Sequence, residues 1–451
     1  MPSIPAAQHF TSSSNLESIC IQNVQIWNAD GVQNNKDVWV QKGKVSKITE
    51  HGAINPSAGV VDIRLIINGQ GLVLMPAGVD AQAHLRVPGQ AHKETAWTGL
   101  FAAVKGGYSA LLTMPNTNPV IDSVQSLQKG KEEISAAEDF TGVEVLWSAA
   151  MTMGQDGKEL VDLVALHKAG VVAITDDGKG VESDDLMLKG LQILEQIGIP
   201  FLQHSEVPGH GGVLAPSDFQ RSHNIPAYDE AAEVDMLKRD LDLLKKAPKA
   251  RYHLLHVSSA KSLPLIAESK KAGFKTTVEV SPHHLFFTVD DITDDNKSFK
   301  MNPPLRTAQD KEKFITALQT GEIDFVATDH APHEESKKSV EYPQAAFGTL
   351  GLETCLPVLL DLYQKNLLSA QKLVDVFATA PAKFLGVSDQ HGQIAEGRSF
   401  KAVLLDPKAA YQKVTEKDFE SLSKNSCFIG SDLPSHAIKK VFLNEKVFSL
   451  K

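Results

Sequence analysis

The stretch IDFVATDHAPH, residues 323–333, is the one from which we interpret the fold. Residues 323–327 form a short, mostly apolar run that is typical of a buried strand. Pro332 prevents the strand from continuing. In an α/β barrel the catalytic residues lie at the carboxyl ends of such strands, so this stretch is a candidate for a functional site. The alternative is that it forms a solvated loop in which the aspartate caps a helix. The polar side chains after the strand are Thr328, Asp329, His330 and His333.

Before this stretch, the sequence from residue 76 onwards repeats the order strand, loop, helix. Several of the helical patterns end in glycine, as helix carboxyl ends commonly do. Eight strands alternating with helices predict an α/β fold, specifically a (β/α)8 TIM barrel. The alternative is an open doubly wound sheet, but no GxGxxG turn follows an early strand. The predicted strands are residues 78–84, 110–114, 144–149, 171–175, 200–204, 252–256, 275–280 and 323–327.

The two ends of the chain have a different pattern. Short apolar or alternating runs separated by turn-forming pairs such as Asp30-Gly31 and Asn68-Gly69 predict strands without helices. We expect residues 16–72 and 390–451 to form one small, discontinuous β-sandwich domain beside a barrel domain of residues 73–389. Residues 1–15 are rich in Ser, Pro and Ala and predict a flexible tail.

The composition excludes several classes of function. A formal charge of −10 argues against nucleic acid or an anionic membrane as partner. Three widely spaced cysteines without a CxxC pair predict neither a disulfide framework nor a thiolate metal site. No apolar run reaches the roughly 18 residues of a membrane span, and the start lacks the basic residues of a secretory signal. We therefore expect a cytoplasmic protein that acts on a small molecule.

The first barrel strand carries polar residues at every second position: Asp80, Gln82, His84 and Arg86. A period of two places alternate residues on one face of a strand. Burying four such groups without partners would cost on the order of 1–3 kcal/mol each. The pattern therefore favours a functional site, with a structural hydrogen-bond network as the alternative.

Other predicted strands also end in polar residues. Each has an ordinary explanation alone, such as a turn, a helix cap or a hydrogen-bonded core histidine. Because all these strand ends meet at one barrel rim, together they predict a site of imidazoles and carboxylates, which suits zinc or a similar divalent ion. In a hydrolytic site such an ion lowers the pKa of water to roughly 7 and polarises a carbonyl, while a nearby carboxylate shuttles the proton. The polar residues at these strand ends are Asn116, Asn118, Asp176, Asp177, His204, His256, His283, Asn302 and Arg306.

At these residues the chain resembles the dihydroorotases, a family of cyclic amidohydrolases in the amidohydrolase superfamily. The resemblance extends over nearly the whole chain and implies a metal-bearing barrel with a β-sandwich made from both ends. It is carried by GVDAQAHLRVPG (78–89), TMPNTNP (113–119), TDDGKG (175–180), HSE (204–206), LHVSS (255–259), SPHHL (281–285), KMNPPLR (300–306), ATDHAPH (327–333) and GLET (351–354).

The resemblance implies reversible interconversion of N-carbamoyl-L-aspartate and L-dihydroorotate, a step of de novo pyrimidine synthesis, with one or two zinc ions. His204 and His256 would hold one metal, His84 and Asp329 the other, and Asp177 would bridge them. Asp329 would also act as general base and then acid. In the same way, the resemblance assigns the substrate carboxylate to Arg86, Asn116 and His333, and the pyrimidine ring to Asn302.

One position departs from the family pattern, which has His at both positions of the pair on the first strand. Here the pair reads Gln82 and His84, and a neutral carboxamide is a poorer zinc ligand than an imidazole. The enzyme would then work with one metal, or Gln82 would serve as a weak or indirect ligand.

The same departure leaves a second class of function open. The chain would then be a non-catalytic homologue that acts as structural partner of aspartate transcarbamoylase. A further alternative is a hydrolase of the hydantoinase or allantoinase type. For the enzyme we expect a homodimer.

Overall fold

The first part of the chain forms strands of a mixed sheet. The computed structural model describes residue 7 and residues 10–13, 16–54, 63–207, 209–293 and 295–450. The second, third and fourth strands form an antiparallel meander, with a turn at Lys42 and Gly43, both of which have positive φ. The strands are β1 (Phe10–Ser13), β2 (Ser18–Asn28), β3 (Gly31–Gln41), β4 (Lys44–Glu50), β5 (Leu65–Asn68) and β6 (Val73–Pro76).

An eight-stranded parallel sheet follows, in which each strand pairs with its neighbours in sequence. Its first and last strands meet through a bridge between Ala83 and His330, so the sheet forms a nearly closed barrel. The predicted (β/α)8 barrel is confirmed. The strands are β7 (Gly78–Ala83), β8 (Tyr108–Thr113), β9 (Glu144–Ala149), β10 (Val171–Ile174), β11 (Pro200–Gln203), β12 (Arg251–Leu254), β13 (Lys275–Val280) and β14 (Phe325–Val326).

The helices surround the barrel. Ser and Thr side chains cap several of their amino ends, and left-handed glycines such as Gly107 and Gly321 end them, because glycine takes a positive φ without strain. The helices are α1 (Ala96–Gly106), α2 (Val124–Thr141), α3 (Leu163–Lys168), α4 (Asp184–Ile197), α5 (Asp218–Ser222), α6 (Ala231–Leu244), α7 (Ser262–Lys271), α8 (Pro282–Phe286), α9 (Ala308–Thr320), α10 (Glu335–Lys338), α11 (Leu352–Gln364), α12 (Ala370–Val374) and α13 (Ala380–Phe384). Within the described ranges, no helix has the length and apolarity needed to cross a membrane.

The end of the chain returns to the first sheet. The strands of this last part are β15 (Lys401–Leu405), β16 (Gln412–Lys413), β17 (Asp432–Leu433), β18 (Ile438–Leu443) and β19 (Lys446–Leu450). Of these, β15, β18 and β19 join that sheet, whose nine strands run in the order β1-β19-β18-β15-β6-β2-β3-β4, with β5 paired to β2. Both ends of the chain therefore build one separate sheet, which encloses its own apolar cluster, including Val40 and Phe442.

Three details differ from the expected boundaries. Phe10–Ser13 is a strand rather than part of a tail, because it pairs with β19 and the Phe10 ring packs on Phe101 and Phe448. Apart from residue 7, the rest of the expected tail lies outside the described residues. Strand β6 pairs in the terminal sheet, beyond the expected boundary at residue 72. Residues 419–427 were expected in the sandwich but lie against the barrel rim. There Glu94 accepts from the backbone nitrogen of Leu422, and Thr349 accepts from the backbone nitrogen of Cys427.

Candidate active site

All the residues of the predicted site lie at the carboxyl ends of the barrel strands, around one cavity of about 310 Å³. The parallel direction of the strands brings these ends together although up to 249 positions separate them in the sequence. The predicted metal ligands among them are buried. The nine lining residues that the sequence predicted are His84, Arg86, Asn116, Asp177, His204, His256, Asn302, Asp329 and His333.

The first group of three ligands follows strands β10, β11 and β12. Oδ1 of Asp177 lies 3.5 Å from Nδ1 of His204 and 3.5 Å from Nε2 of His256. The two imidazole nitrogens are 3.1 Å apart. Two nitrogens and one carboxylate oxygen that converge in this way are suited to a single divalent cation.

The second group shares Asp177 with the first. Its other oxygen, Oδ2, lies 3.2 Å from Nε2 of His84, and Oδ1 of Asp329 lies 3.1 Å from the same nitrogen. The three ligand atoms form a second cluster that could hold a metal ion. The carboxylate of Asp177 therefore lies between two adjacent groups, as a bridging ligand must.

Hydrogen bonds orient two of the imidazoles. Nε2 of His204 donates to Oε2 of Glu206 at 3.0 Å, which leaves Nδ1 to face Asp177. Nδ1 of His84 donates to Oδ1 of Asn116 at 2.9 Å, which leaves Nε2 to face both carboxylates. Ligand histidines commonly bind an acceptor through their second nitrogen, which fixes the ring and its tautomer.

Asn116 was predicted to bind substrate. It lines the cavity, and its side-chain oxygen accepts from His84, while its Nδ2, the donor that a carboxylate would need, has a contact of 3.5 Å with the carbonyl of Asp177. Its predicted role in substrate binding stays a prediction.

The electrostatics of the site favour bound positive charge. Burial opposes protonation of His84, but its hydrogen bonds to Asp177 and Asp329 prevail and raise its pKa to about 9. Burial likewise opposes protonation of His204, whose contacts with Asp177 and Glu206 raise the pKa to about 9. The Asp177 carboxyl is also desolvated, yet its imidazole partners hold its pKa well below the usual value. A cluster that stabilises protons in this way also suits a divalent cation that replaces them.

Gln82 lies on β7 beside these groups and is fully buried. Among the described residues, neither its amide nitrogen nor its amide oxygen has a hydrogen-bond partner. It is not one of the residues that line the cavity. The second cluster that could hold a metal ion therefore consists of His84, Asp177 and Asp329, and the first, Asp177, His204 and His256, includes no residue of β7.

The remaining lining residues include two cations, Arg86 and Lys93, and neutral polar groups. Nη2 of Arg86 donates to Nε2 of His333 at 3.1 Å, and Nε of Arg86 donates to the carbonyl of Pro332 at 3.2 Å. Burial lowers the pKa of His333 far below its usual value, so the ring is neutral and its Nδ1 carries the hydrogen. Nδ2 of Asn302 donates to Glu206 at 2.7 Å. Among the described residues, Nδ1 of His333 and Oδ1 of Asn302 have no partner.

Three of the site residues have positive φ, namely Arg86 at 60°, His256 at 31° and Asp329 at 47°. Non-glycine residues rarely take this conformation, and it concentrates at functional sites. Each lies just beyond a barrel strand, where the backbone must leave the ladder to direct a side chain into the cavity. The strands before these three residues, β7, β12 and β14, end one or two residues earlier than the apolar patterns predict.

Two neighbouring carboxylates that the sequence left open have structural partners instead. Asp80 accepts from the backbone nitrogen of Thr328 at 2.9 Å and thereby joins β7 to the end of β14. Asp176 accepts from the backbone nitrogens of Met151 and Thr152 at 2.8 and 3.2 Å. Both hold the rim in place.

The sequence missed several residues of the site. Glu206 stands two positions after His204, and this spacing was the one signal that would have revealed it. Lys93, Phe347 and Gly348 line the cavity from loops that carry no strand pattern. Asn425, which binds the rim from the end of the chain, is separated from its partner His333 by 92 positions, and no local pattern predicts such a contact.

Comparison with solved structures confirms the fold. An L-hydantoinase (dihydropyrimidinase) from Arthrobacter aurescens superposes with a TM-score of 0.83 at 24% identity, with 95% of each chain covered. A D-hydantoinase (dihydropyrimidinase) from Thermus sp. gives a TM-score of 0.78 at 20% identity, with 95% of this chain and 94% of that one covered. At this level of identity the likeness concerns the architecture alone.

Comparison of sequences identifies the family. Residues 71–262 match the model of the dihydro-orotase-like family. A dihydroorotase from Shouchella clausii is 36% identical over 410 residues, which are 90% of this chain and 92% of that protein. A dihydroorotase from Listeria monocytogenes is 35% identical over 413 residues, covering 91% and 94%. Similarity of this extent runs through both the barrel and the terminal sheet, and the chain belongs to the dihydroorotase family.

Proposed function

We propose that the chain is a metal-dependent dihydroorotase that interconverts L-dihydroorotate and N-carbamoyl-L-aspartate in pyrimidine synthesis. One observation carries the proposal: nine residues scattered from position 84 to position 333 line the same cavity. The names of relatives that match this chain over 92% and 94% of their own length support the same reaction. A cavity of about 310 Å³ is at the small end of the usual range for ligand sites, which suits a six-membered ring with one carboxylate.

Zinc is the metal we propose, because the ligand groups combine imidazoles with carboxylates and contain no thiolate. Asp177, His204 and His256 would hold one ion, and His84, Asp177 and Asp329 a second, weaker one. When bound, the metal supplies an acidified water and polarises the ring carbonyl. The remaining chemistry is binding and proton transfer by the side chains of the cavity.

Arg86 and His333 would bind the substrate carboxylate. The guanidinium is planar and always charged, so it matches a carboxylate with two parallel hydrogen bonds. The Nδ1 hydrogen of His333, unpaired among the described residues, is a further donor. The unpaired Oδ1 of Asn302 is an acceptor for a ring N–H group. These groups would fix the ring with its amide bond toward the ligand groups.

Asp329 would move the proton. In hydrolysis, a water adds to the ring carbonyl, Asp329 takes its proton, and the carbon–nitrogen bond breaks as Asp329 returns the proton to the leaving nitrogen. In ring closure the same carboxylate acts in the opposite order. Its position beside His84, at 3.1 Å, keeps it next to the ligand groups.

The non-catalytic alternative is not favoured, because it gives no reason for the cavity to retain an intact carboxylate-binding end. A hydantoin or allantoin ring would not need the guanidinium of Arg86 for a carboxylate. A cytoplasmic location, a homodimer and an association with aspartate transcarbamoylase stay predictions.

The test is an assay of zinc-loaded protein with dihydroorotate, hydantoin and allantoin in parallel. We expect hydrolysis of dihydroorotate alone, and its loss in Asp329→Ala. Asp290→Ala, at an exposed position outside the cavity, is the matched control and should keep full activity. Preference for hydantoin or allantoin, or normal turnover by Asp329→Ala, would refute the substrate or the role of Asp329.

A further inference from the structure

We propose that Asn425 is a positioning residue that sets the carboxylate-binding end of the cavity from the far end of the chain. Asn425 lies between β16 and β17 and is buried. Its Oδ1 accepts from the backbone nitrogen of His333 at 3.0 Å, and its Nδ2 donates to the carbonyls of Ala331 and Gly348 at 3.0 and 3.1 Å. One side chain thereby binds two rim loops. The inference rests on the proposed function, because it concerns recognition of the substrate carboxylate.

The two loops that Asn425 joins are packed directly against each other. Gly348 has a φ of 134°, and a Cβ built there would lie 2.7 Å from Cβ of Ala331 and 2.8 Å from its carbonyl oxygen. There is no space between the loops for a side chain at this point. The loops therefore cannot move closer together, and the two hydrogen bonds from Nδ2 of Asn425 oppose their separation. Gly348 and Ala331 both line the cavity.

The loop of residues 331–333 in turn holds Arg86, one of the two cations that line the cavity. Arg86 donates through Nε to the carbonyl of Pro332 and through Nη2 to the ring of His333. Asn425 accepts from the backbone nitrogen of His333, and the carbonyl of Pro332 belongs to the same peptide group. Asn425 therefore restrains both acceptors of Arg86. The position of the guanidinium therefore depends on Asn425, although Asn425 is not one of the residues lining the cavity.

The segment that carries Asn425 is itself fixed to the barrel. The backbone nitrogen of Leu422 donates to Oε1 of Glu94 at 2.8 Å, and Oγ of Ser423 donates to the carbonyl of Lys93 at 2.7 Å. Beyond Asn425, the backbone nitrogen of Cys427 donates to Oγ1 of Thr349 at 2.9 Å. Asn425 thus acts from a rigid support, as a residue that positions a binding group must.

The test is Asn425→Asp, which keeps the shape but replaces the donor amide by an oxygen facing two carbonyls. We expect the KM for dihydroorotate to rise about tenfold or more, since the binding groups are displaced, while kcat changes less than about threefold. Bound zinc should be unchanged, because the side chain of Asn425 bonds to the backbone of residues 331, 333 and 348 and to none of the proposed metal ligands. Asn425→Ala removes the same hydrogen bonds without adding a charge. It is the variant to use if Asn425→Asp does not fold.

The matched control is Asn28→Asp in the terminal sheet. Asn28 is also buried and binds both backbone groups of Ile394, accepting at 2.9 Å and donating at 2.9 Å. This variant should lose stability in the same way but keep the wild-type KM. If the Asn425 variants lower the melting temperature and leave KM unchanged, Asn425 is merely structural and the inference is wrong.

A second readout separates this inference from the proposed function. Calorimetric binding of N-carbamoyl-L-aspartate to zinc-loaded protein needs no turnover. Weaker binding by Asn425→Asp supports the inference even where the wild type does not hydrolyse dihydroorotate, and equal affinity overturns it. Wild-type protein that neither binds nor hydrolyses these compounds would overturn both.

Discussion

Oε2 of Glu206 lies 3.0 Å from Nε2 of His204, and the same oxygen accepts from Nδ2 of Asn302 at 2.7 Å. One carboxylate thus orients a proposed metal ligand and a proposed substrate-binding amide together. Burial opposes the charge on Glu206, but its hydrogen bonds to His204 and Asn302 prevail and lower its pKa. Glu206 is therefore an anion that holds His204 and Asn302 side by side, with Nδ2 of Asn302 3.3 Å from Nε2 of His204.

Replacing Glu206 by Gln should lower zinc affinity about 10–100-fold, because the imidazole of His204 loses the acceptor that fixes its orientation and increases its basicity. The measurement is calorimetric zinc titration of metal-free protein. Glu230→Gln is the control, since Glu230 binds Ser259 and Lys261 and does not line the cavity. Equal zinc affinity in the Glu206 variant and the wild type would show that this hydrogen bond does not tune the site.

Arg86→Lys should raise the KM for dihydroorotate about 10–100-fold and leave bound zinc unchanged. Lysine keeps the charge but lacks the planar fork that matches a carboxylate. Steady-state kinetics and metal analysis on the same sample check this. An unchanged KM would remove Arg86 from substrate binding.

Gln82→His should strengthen binding of a second zinc ion, because the imidazole restores the pair of histidines of the family pattern beside His84. The measurement is the zinc stoichiometry after dialysis. A second zinc ion bound equally well by the wild type would show that Gln82 does not limit the site.

Gln82→Met keeps a similar side-chain volume without the unpaired amide, and should stabilise the metal-free protein by about 1–3 kcal/mol.

Lys338 predicts a specific dependence of stability on pH. Burial lowers its pKa from 10.5 to about 7, with a further contribution from Lys300. Between these values the unfolded chain binds more protons at this residue than the folded chain. Stability should therefore rise with pH from about 7 to 10.5, by at most about 1.4 kcal/mol per pH unit.

Melting temperatures of Lys338→Met measured across this range test the assignment. This variant should lose the slope, even though it is less stable overall because the carbonyls of Lys297, Lys300 and Ala346 lose their donor. Lys337→Met, at the exposed neighbouring position, should keep the slope. An unaltered slope in Lys338→Met would contradict the assignment.

The barrel was predictable because each strand carries its own apolar pattern, and the parallel direction of the strands forces their polar ends together. The convergence of imidazoles and carboxylates at one rim followed from those strand ends, whereas the roles of individual residues came from the resemblance to the dihydroorotases and stay predictions. Contacts such as Asn425 with His333 were not predictable, because nothing local in either segment records the other. The tail was predicted from composition, whereas Phe10 forms a strand because distant rings pack on it.

Zinc titration of metal-free protein, with hydrolysis of dihydroorotate recorded at each addition, tests the central claim most directly. Asp177 belongs to both ligand groups, so Asp177→Asn is the decisive variant. We predict that hydrolysis appears in step with bound zinc in the wild type and that Asp177→Asn loses both. Zinc bound without hydrolysis, or full hydrolysis by Asp177→Asn, would contradict the account.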